Sequence, residues 1–407
     1  MHIRGFDGLR ALAVILVLLM HKTQWGASAE IGYSGVWLFF LLSGFLIAGQ
    51  LHSSRSRIEA GKASVSDEFK IFWIKRALRI FPAYYLLISL LAPFYLLSHR
   101  ANPGLPYYLA YLSNFFFQSN AAEFQTTWAH FWSLAVEQQF YLIFALLLLF
   151  VPSRYAAQAC ILVIVAAALQ RFNLAAANPA PFVIYVDSLV NFGALGLGAL
   201  LAIRREDFVR LVRACGLDRG FYGWAAAAIV VVLAPLAGAL AGTSLLLVNA
   251  LYLCGTFILA LLMMNVYVNQ ETMLVHILEW RPIAYLGQIS YGLYLYNDYV
   301  KTDLPERLLR FVSFRFLAAP QQETVAGWMQ SGSWGYFFLT SGGLIVCFGV
   351  IFMFAHLSWL FAEQPCLRLR KKISARALES GTAVTSRPLQ QIEPASSLLA
   401  DEGRSRA

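Results

Sequence analysis

A chain of 407 residues in which 59% are hydrophobic and only 13% are charged is not a soluble globular domain, where about a quarter of residues carry charge. The formal charge of +9 would suggest nucleic acid in a soluble protein, but in so apolar a chain Lys and Arg report membrane topology first, and no nucleic-acid partner is expected. Cys160, Cys215, Cys254, Cys347 and Cys366 are scattered and never spaced C-x-x-C, which excludes a disulfide frame and gives no metal site.

Apolar runs close to the ~20 residues needed to cross a bilayer fall at about 7–26, 33–50, 79–98, 131–151, 155–170, 186–203, 222–240, 243–267, 283–304 and 335–360. They predict an all-α polytopic transmembrane bundle of about ten spans over residues 1–370. Residues 371–407, rich in Ser, Arg and Ala and broken by Pro388 and Pro394, read as a disordered cytoplasmic tail. An even number of spans puts both termini on one side. If that side is the cytoplasm it holds 24 of the 31 Lys and Arg, and the other face keeps Lys22, Arg100, Arg171, Lys301, Arg307, Arg310 and Arg315. That split matches the positive-inside rule and sets the protein in the cytoplasmic membrane among its lipids. Ala27-Ser28-Ala29 imitates a signal-peptidase site; the first helix is read as uncleaved, because cleavage would discard its polar groups. Nothing in the sequence fixes an oligomeric state.

An ionisable residue within a span costs at least ~2.5–3.5 kcal/mol on insertion scales and is therefore a functional candidate. In the first span Arg10 and His21 are eleven residues apart, which brings them to one helix face roughly 16 Å apart, with His21 in the outer half. In the fourth span Ser133 and Glu137 are four apart on one face. Taking Trp25 and Trp132 as outer interfacial anchors, His21 and Glu137 fall at the same depth. They form either a base with its orienting partner or a pair that only pins two helices. Arg76 and Arg79 lie on one face at the inner start of the third span, where they suit phosphate binding or topology anchoring. Ser290, Tyr291, Tyr294 and Asn297 give the ninth span a polar edge.

The motifs F-D-G-L-R-A-L-A from Phe6, G-Y-S-G-V-W-L-F-F-L-L-S-G-F-L-I from Gly32, R-A-L-R-I-F-P-A-Y-Y from Arg76, W-S-L-A-V-E-Q-Q-F-Y from Trp132, L-G-Q-I-S-Y-G-L-Y-L from Leu286 and E-Q-P from Glu363 occur in order over most of the chain. Together they resemble the membrane acyltransferase-3 family, whose members O-acylate sugars and other surface or secreted acceptors. The resemblance implies a ten-helix enzyme that takes an acyl group, expected to be acetyl, from cytoplasmic acyl-coenzyme A to the hydroxyl of a carbohydrate or glycan outside. Acyl-coenzyme A is then a donor substrate, and no permanently bound cofactor is expected. By motif, Arg10 and His21 correspond to the family's essential arginine and histidine. The family often places a histidine where this chain has Asn297, which leaves that position without an assigned role. The fused extracellular hydrolase-like domain of some longer members is not expected here.

On this reading Arg10, Arg76 and Arg79 hold the coenzyme's phosphates, and His21, with Glu137, acts as general base or as a covalent acyl carrier. Trp132, Ser133, Tyr291 and Tyr294 line the acceptor side, with Trp128 a further stacking candidate. The competing class is a polytopic transporter or exporter of a lipid-linked or small glycan. Against it stands the lack of an internal repeat.

Overall fold

The computed structural model describes residues 3–28, 30–97, 104–121, 124, 128–177, 179–217, 219–220, 222–226, 228–229, 244–302, 315 and 334–369. Among them every regular element is helical. In chain order these are α1 (Phe6–Lys22), α2 (Gln24–Ser28), α3 (Gly32–Glu59), α4 (Val65–Leu97), α5 (Leu105–Leu109), α6 (Ser113–Ser119), α7 (Phe131–Phe150), α8 (Ala156–Ala177), α9 (Pro181–Val186), α10 (Ser188–Ile203), α11 (Arg205–Ala214), α12 (Leu245–Val268), α13 (Met273–Leu278), α14 (Arg281–Gln288), α15 (Ser290–Tyr296) and α16 (Trp334–Ser358).

The chain is an all-α membrane bundle. Among the described residues five helical stretches are long and apolar enough to cross a membrane, at Gly32–Glu59, Phe131–Phe150, Ser153–Ala177, Leu245–Val268 and Ser341–Leu369, and Ser188–Ile203 is a shorter apolar helix. Most of the expected seventh span, 222–240, and the whole tail, 371–407, lie outside the described residues.

Helix ends follow local chemistry. Gly5 precedes α1 with φ +86°, a left-handed conformation open to glycine without strain, and its N–H donates to Glu279 Oε1 at 2.5 Å. The Asp187 carboxylate caps α10 by accepting from the Val190 N–H, and the Ser244 hydroxyl caps α12 by accepting from the Leu247 N–H. The link between α7 and α8 after Pro152 is a single 3-10 turn, Ser153–Tyr155.

The ninth expected span departs from a continuous helix. Instead of one run over 283–304, α14 ends at Gln288, Ile289 adopts φ −92° and ψ 8°, and α15 gives way to a 3-10 turn at Asn297–Tyr299. The apolar residues on either side made the segment read as one span. The break has a partner on α1: Lys22 Nζ donates to the carbonyls of Asn297 (2.5 Å) and Val300 (2.9 Å), which ties the turn to the C-terminal end of the first helix.

Helix α3 runs through the centre, packed by α1, α7, α10 and α12. Its contact with α10 is close because two glycines face each other's backbones. A Cβ on Gly44 would overlap the Leu195 carbonyl, and one on Gly198 would overlap the Leu41 carbonyl. Such small-residue seams are how membrane helices gain packing without a hydrophobic driving force between them. Gly44→Ala is therefore expected to destabilise the bundle by about 1–3 kcal/mol, the cost of overpacking, in equilibrium unfolding in mixed micelles. Gly349→Ala, where a Cβ would meet nothing within 4 Å, serves as the neutral control.

Candidate active site

Two polar clusters occupy opposite ends of the bundle's interior. The first gathers around His21, one residue from the end of α1. Its Nδ1 lies 2.6 Å from Asp298 Oδ1 and 2.7 Å from Asn297 Oδ1. The Asn297 amide is oriented by donating its Nδ2 to the Tyr294 carbonyl at 2.6 Å, so its oxygen faces the ring. Two acceptors at one ring nitrogen fix that nitrogen as the protonated one, which leaves Nε2 with the lone pair.

Asp298 is shared. Its other oxygen, Oδ2, stands 3.0 Å from Nδ1 of His130, whose side chain is wholly buried just before α7. The result is a carboxylate between two imidazoles, on a turn that Lys22 clamps from α1. Nearby, Ser133 Oγ and Tyr294 Oη are 2.6 Å apart, and both hydroxyls also reach the His130 carbonyl at 3.2 Å. These bonds bind α15 to the start of α7.

The second cluster lies roughly 16 Å down α1, eleven residues at 1.5 Å each. Arg10 Nη1 bonds Asp7 Oδ1 at 3.2 Å, and Arg76, Arg79 and Tyr141 are near enough to act on its charge. The Arg76 guanidinium lies 5.5 Å from the Tyr141 ring centroid and 5.7 Å from that of Phe72. Tyr141 and Ser43 both donate their hydroxyls to Glu137 Oε1. Arg79 also acts on Glu363, a buried carboxylate in a π-helical turn after α16 that accepts from Ser358. Three guanidinium groups drawn from α1 and α4 are thus collected at one end of the bundle.

The expected pairing of His21 with Glu137 is not what the structure has. The imidazole takes Asp298 and Asn297, and Glu137 takes Ser43 and Tyr141. The physical reason is that Trp25 and Trp132 are not equivalent depth markers. Trp25, on the short helix α2, is 59% exposed, whereas Trp132 is 3% exposed and packed between the rings of Phe40 and Tyr185. His130 is the α7-side residue that stands level with His21, through Asp298. Glu137 is seven residues further, about 10 Å along α7, toward the arginines.

The four residues expected to line the acceptor are engaged with protein. Trp132 is packed as described, Ser133 and Tyr294 bond each other, and the Tyr291 hydroxyl donates to the Ile80 carbonyl of α4 at 3.0 Å. Sequence reasoning passed over Asp298, His130 and Lys22 as functional groups. A signal existed for Asp298, an acid at the end of an apolar run, but the sequence reading gave it no weight.

Comparison with known proteins follows from this geometry. Residues 3–359 match the family model described as an acyltransferase domain. The chain is 26% identical over 361 residues to the O-acetyltransferase OatA of Staphylococcus aureus, covering 78% of this chain and 57% of that protein. It is 27% identical over 334 residues to the putative peptidoglycan O-acetyltransferase YrhL of Bacillus subtilis, covering 73% and 48%. Over 162 residues it is 33% identical to the peptidoglycan O-acetyltransferase OatA of Listeria monocytogenes, covering 36% and 24%. It thus spans little more than half the length of the first of these relatives. No solved structure matches the chain. With the family model covering nearly its whole length, the chain belongs to the membrane acyltransferase-3 family.

Proposed function

We propose that the protein is an O-acyltransferase of the cytoplasmic membrane, with both termini cytoplasmic, that moves an acyl group from acyl-coenzyme A to the hydroxyl of an extracytoplasmic glycan. The transferred group is acetyl and the acceptor class peptidoglycan, as the names of the relatives suggest. The observation that carries the reading is the His21 ring, held at Nδ1 by Asp298 with Nε2 left as base. It sits at the end of α1 opposite to the arginine cluster, so a base and an anion site are separated along one helix.

Arg10, Arg76 and Arg79 take the phosphates of the coenzyme at the inner end, where charge-assisted bonds to phosphate are strongest. The thioester arm extends along α1 toward His21. There Nε2 accepts the proton of the acceptor hydroxyl as its oxygen attacks the thioester carbon. The carbon–sulfur bond breaks, and the imidazolium returns the proton to the departing thiolate. Asp298 and Asn297 hold the ring in its working tautomer and stabilise the imidazolium that forms, as a carboxylate does in the serine-protease triad. Ser133, Tyr291, Tyr294 and Trp132 shape the wall against which the acceptor docks. Glu137, through Ser43 and Tyr141, orders the inner half of the pathway beside the arginines.

His21→Ala is expected to lower acyl transfer at matched protein levels by at least about 10²-fold, the weight of general acid–base catalysis. Substantial turnover by that variant would remove His21 from the chemistry. Asp298→Asn should cost kcat at least about tenfold with little change in the donor KM, since an amide in place of the carboxylate no longer favours the working tautomer or the imidazolium. Glu137→Gln should cost less in kcat than Asp298→Asn. The reverse order would restore Glu137 as the partner of the base.

Arg79→Ala, and to a lesser degree Arg76→Ala, should raise the KM for acyl-coenzyme A by about tenfold, the worth of one charge-assisted bond, while slowing saturated turnover less. An unchanged donor dependence would leave these arginines as topology anchors.

A further inference from the structure

Arg171 has no place in the acyl-transfer scheme, yet it is a cation kept inside the bundle. It lies on α8, six residues before the helix ends at Ala177, about 9 Å from that end, and is 7% exposed. Among the described residues its guanidinium makes one hydrogen bond, Nη1 to Asn249 Oδ1 at 3.0 Å, and it stands 5.9 Å from the Trp37 ring centroid. None of their carboxylates forms an ion pair with it. Asp187 acts on it only from farther away, and that carboxylate is engaged in capping α10 through the Val190 N–H at 2.8 Å. Tyr252 also acts on it, with its own hydroxyl given to Glu30.

A guanidinium has five N–H donors, and leaving most of them unmatched in a low-dielectric interior is costly. Beside Arg171 a cavity of about 20 Å³ opens between α8, α10 and α12, room for a group the size of one water. Ala168 on α8 and Gly193 on α10 line it with little side-chain bulk. The walls beyond are apolar, with Ile164 and Leu197 on one side and Phe257, 46% exposed at the bundle surface, on the other. The site therefore has a cationic head and an apolar groove, close to one end of its helices.

We propose that this groove binds a membrane lipid with an anionic phosphate headgroup, a phosphate oxygen meeting Arg171 and an acyl chain lying along the α8–α10 seam. A bilayer supplies that anion at the depth of the helix ends. The apolar walls favour a phosphate that carries a hydrocarbon tail over a free one. Asn249 holds the guanidinium in place, and the Trp37 ring supports it by a cation–π contact.

The test uses the full chain purified in a neutral detergent. Native mass spectrometry with equal amounts of phosphatidylglycerol and phosphatidylcholine is expected to show retention of the anionic lipid about tenfold over the zwitterionic one, the weight of one charge-assisted bond. Phosphatidylglycerol should also raise the melting temperature. Arg171→Gln should bring the retention ratio near one and abolish the melting shift. Ala168→Phe, which fills the groove while leaving the charge, should lose the lipid as well and guards against a folding defect in the arginine variant. Equal retention of both lipids by the wild type, or an unchanged preference in both variants, overturns the proposal. A melting shift from inorganic phosphate alone that matches the shift from lipid overturns the lipid as the source.

Discussion

Inside a membrane bundle a carboxylate must be matched by cations or donors, because no water stands by to solvate it, and the outer end of this protein is organised around how Asp298 meets that requirement. One oxygen faces His21 on α1 and the other faces His130 before α7. Lys22 grips the carbonyls on either side of the same turn. Two segments far apart in sequence, the end of α1 and the residue before α7, are thereby held to one short 3-10 turn. At the break in the ninth segment the carbonyls of Asn297 and Val300, where the α-helical ladder has ended, are taken by Lys22.

The inner end solves a different electrostatic problem. Arg10, Arg76 and Arg79 repel one another, and Asp7, Glu137 and Glu363 are the acids near them. Glu137 is bound by hydroxyls from Ser43 and Tyr141, with Tyr141 also under the Arg76 guanidinium. The three guanidinium groups gathered beside these rings are the feature on which the proposed phosphate site rests.

The apolar, all-helical character of the chain and the presence of Arg10 and His21 on one helix, α1, were legible in the sequence, because hydropathy and a 100° step are local properties. The partner of His21 was not. Placing Glu137 opposite it assumed that two tryptophans mark the same interface, and Trp132 is a core residue packed on Tyr185 while Trp25 is exposed. Tryptophan identity alone does not distinguish these environments. The turn at Asn297–Tyr299 was equally hidden, since its cause is a lysine 275 residues away and no Gly or Pro marks it.

Asn297, the position that the sequence reading left without a role, shows what the local geometry demands. Asn297 is fully buried, gives its amide N–H to Tyr294 and turns its oxygen to His21. A neutral imidazole there could make the same two contacts, one nitrogen donating and the other accepting, provided its tautomer is set by the Tyr294 carbonyl. The requirement at this position is thus a side chain that donates on one side and accepts on the other, and asparagine meets it without a titratable proton. In this chain the proton chemistry next to Asp298 is accordingly left to the two imidazoles. Of these His130 is enclosed by protein, its ring packed against those of Phe131, Tyr294 and Tyr299, whereas the His21 side chain keeps 23% exposure. Exposure is what distinguishes His21, the proposed base, from its buried counterpart across the shared carboxylate.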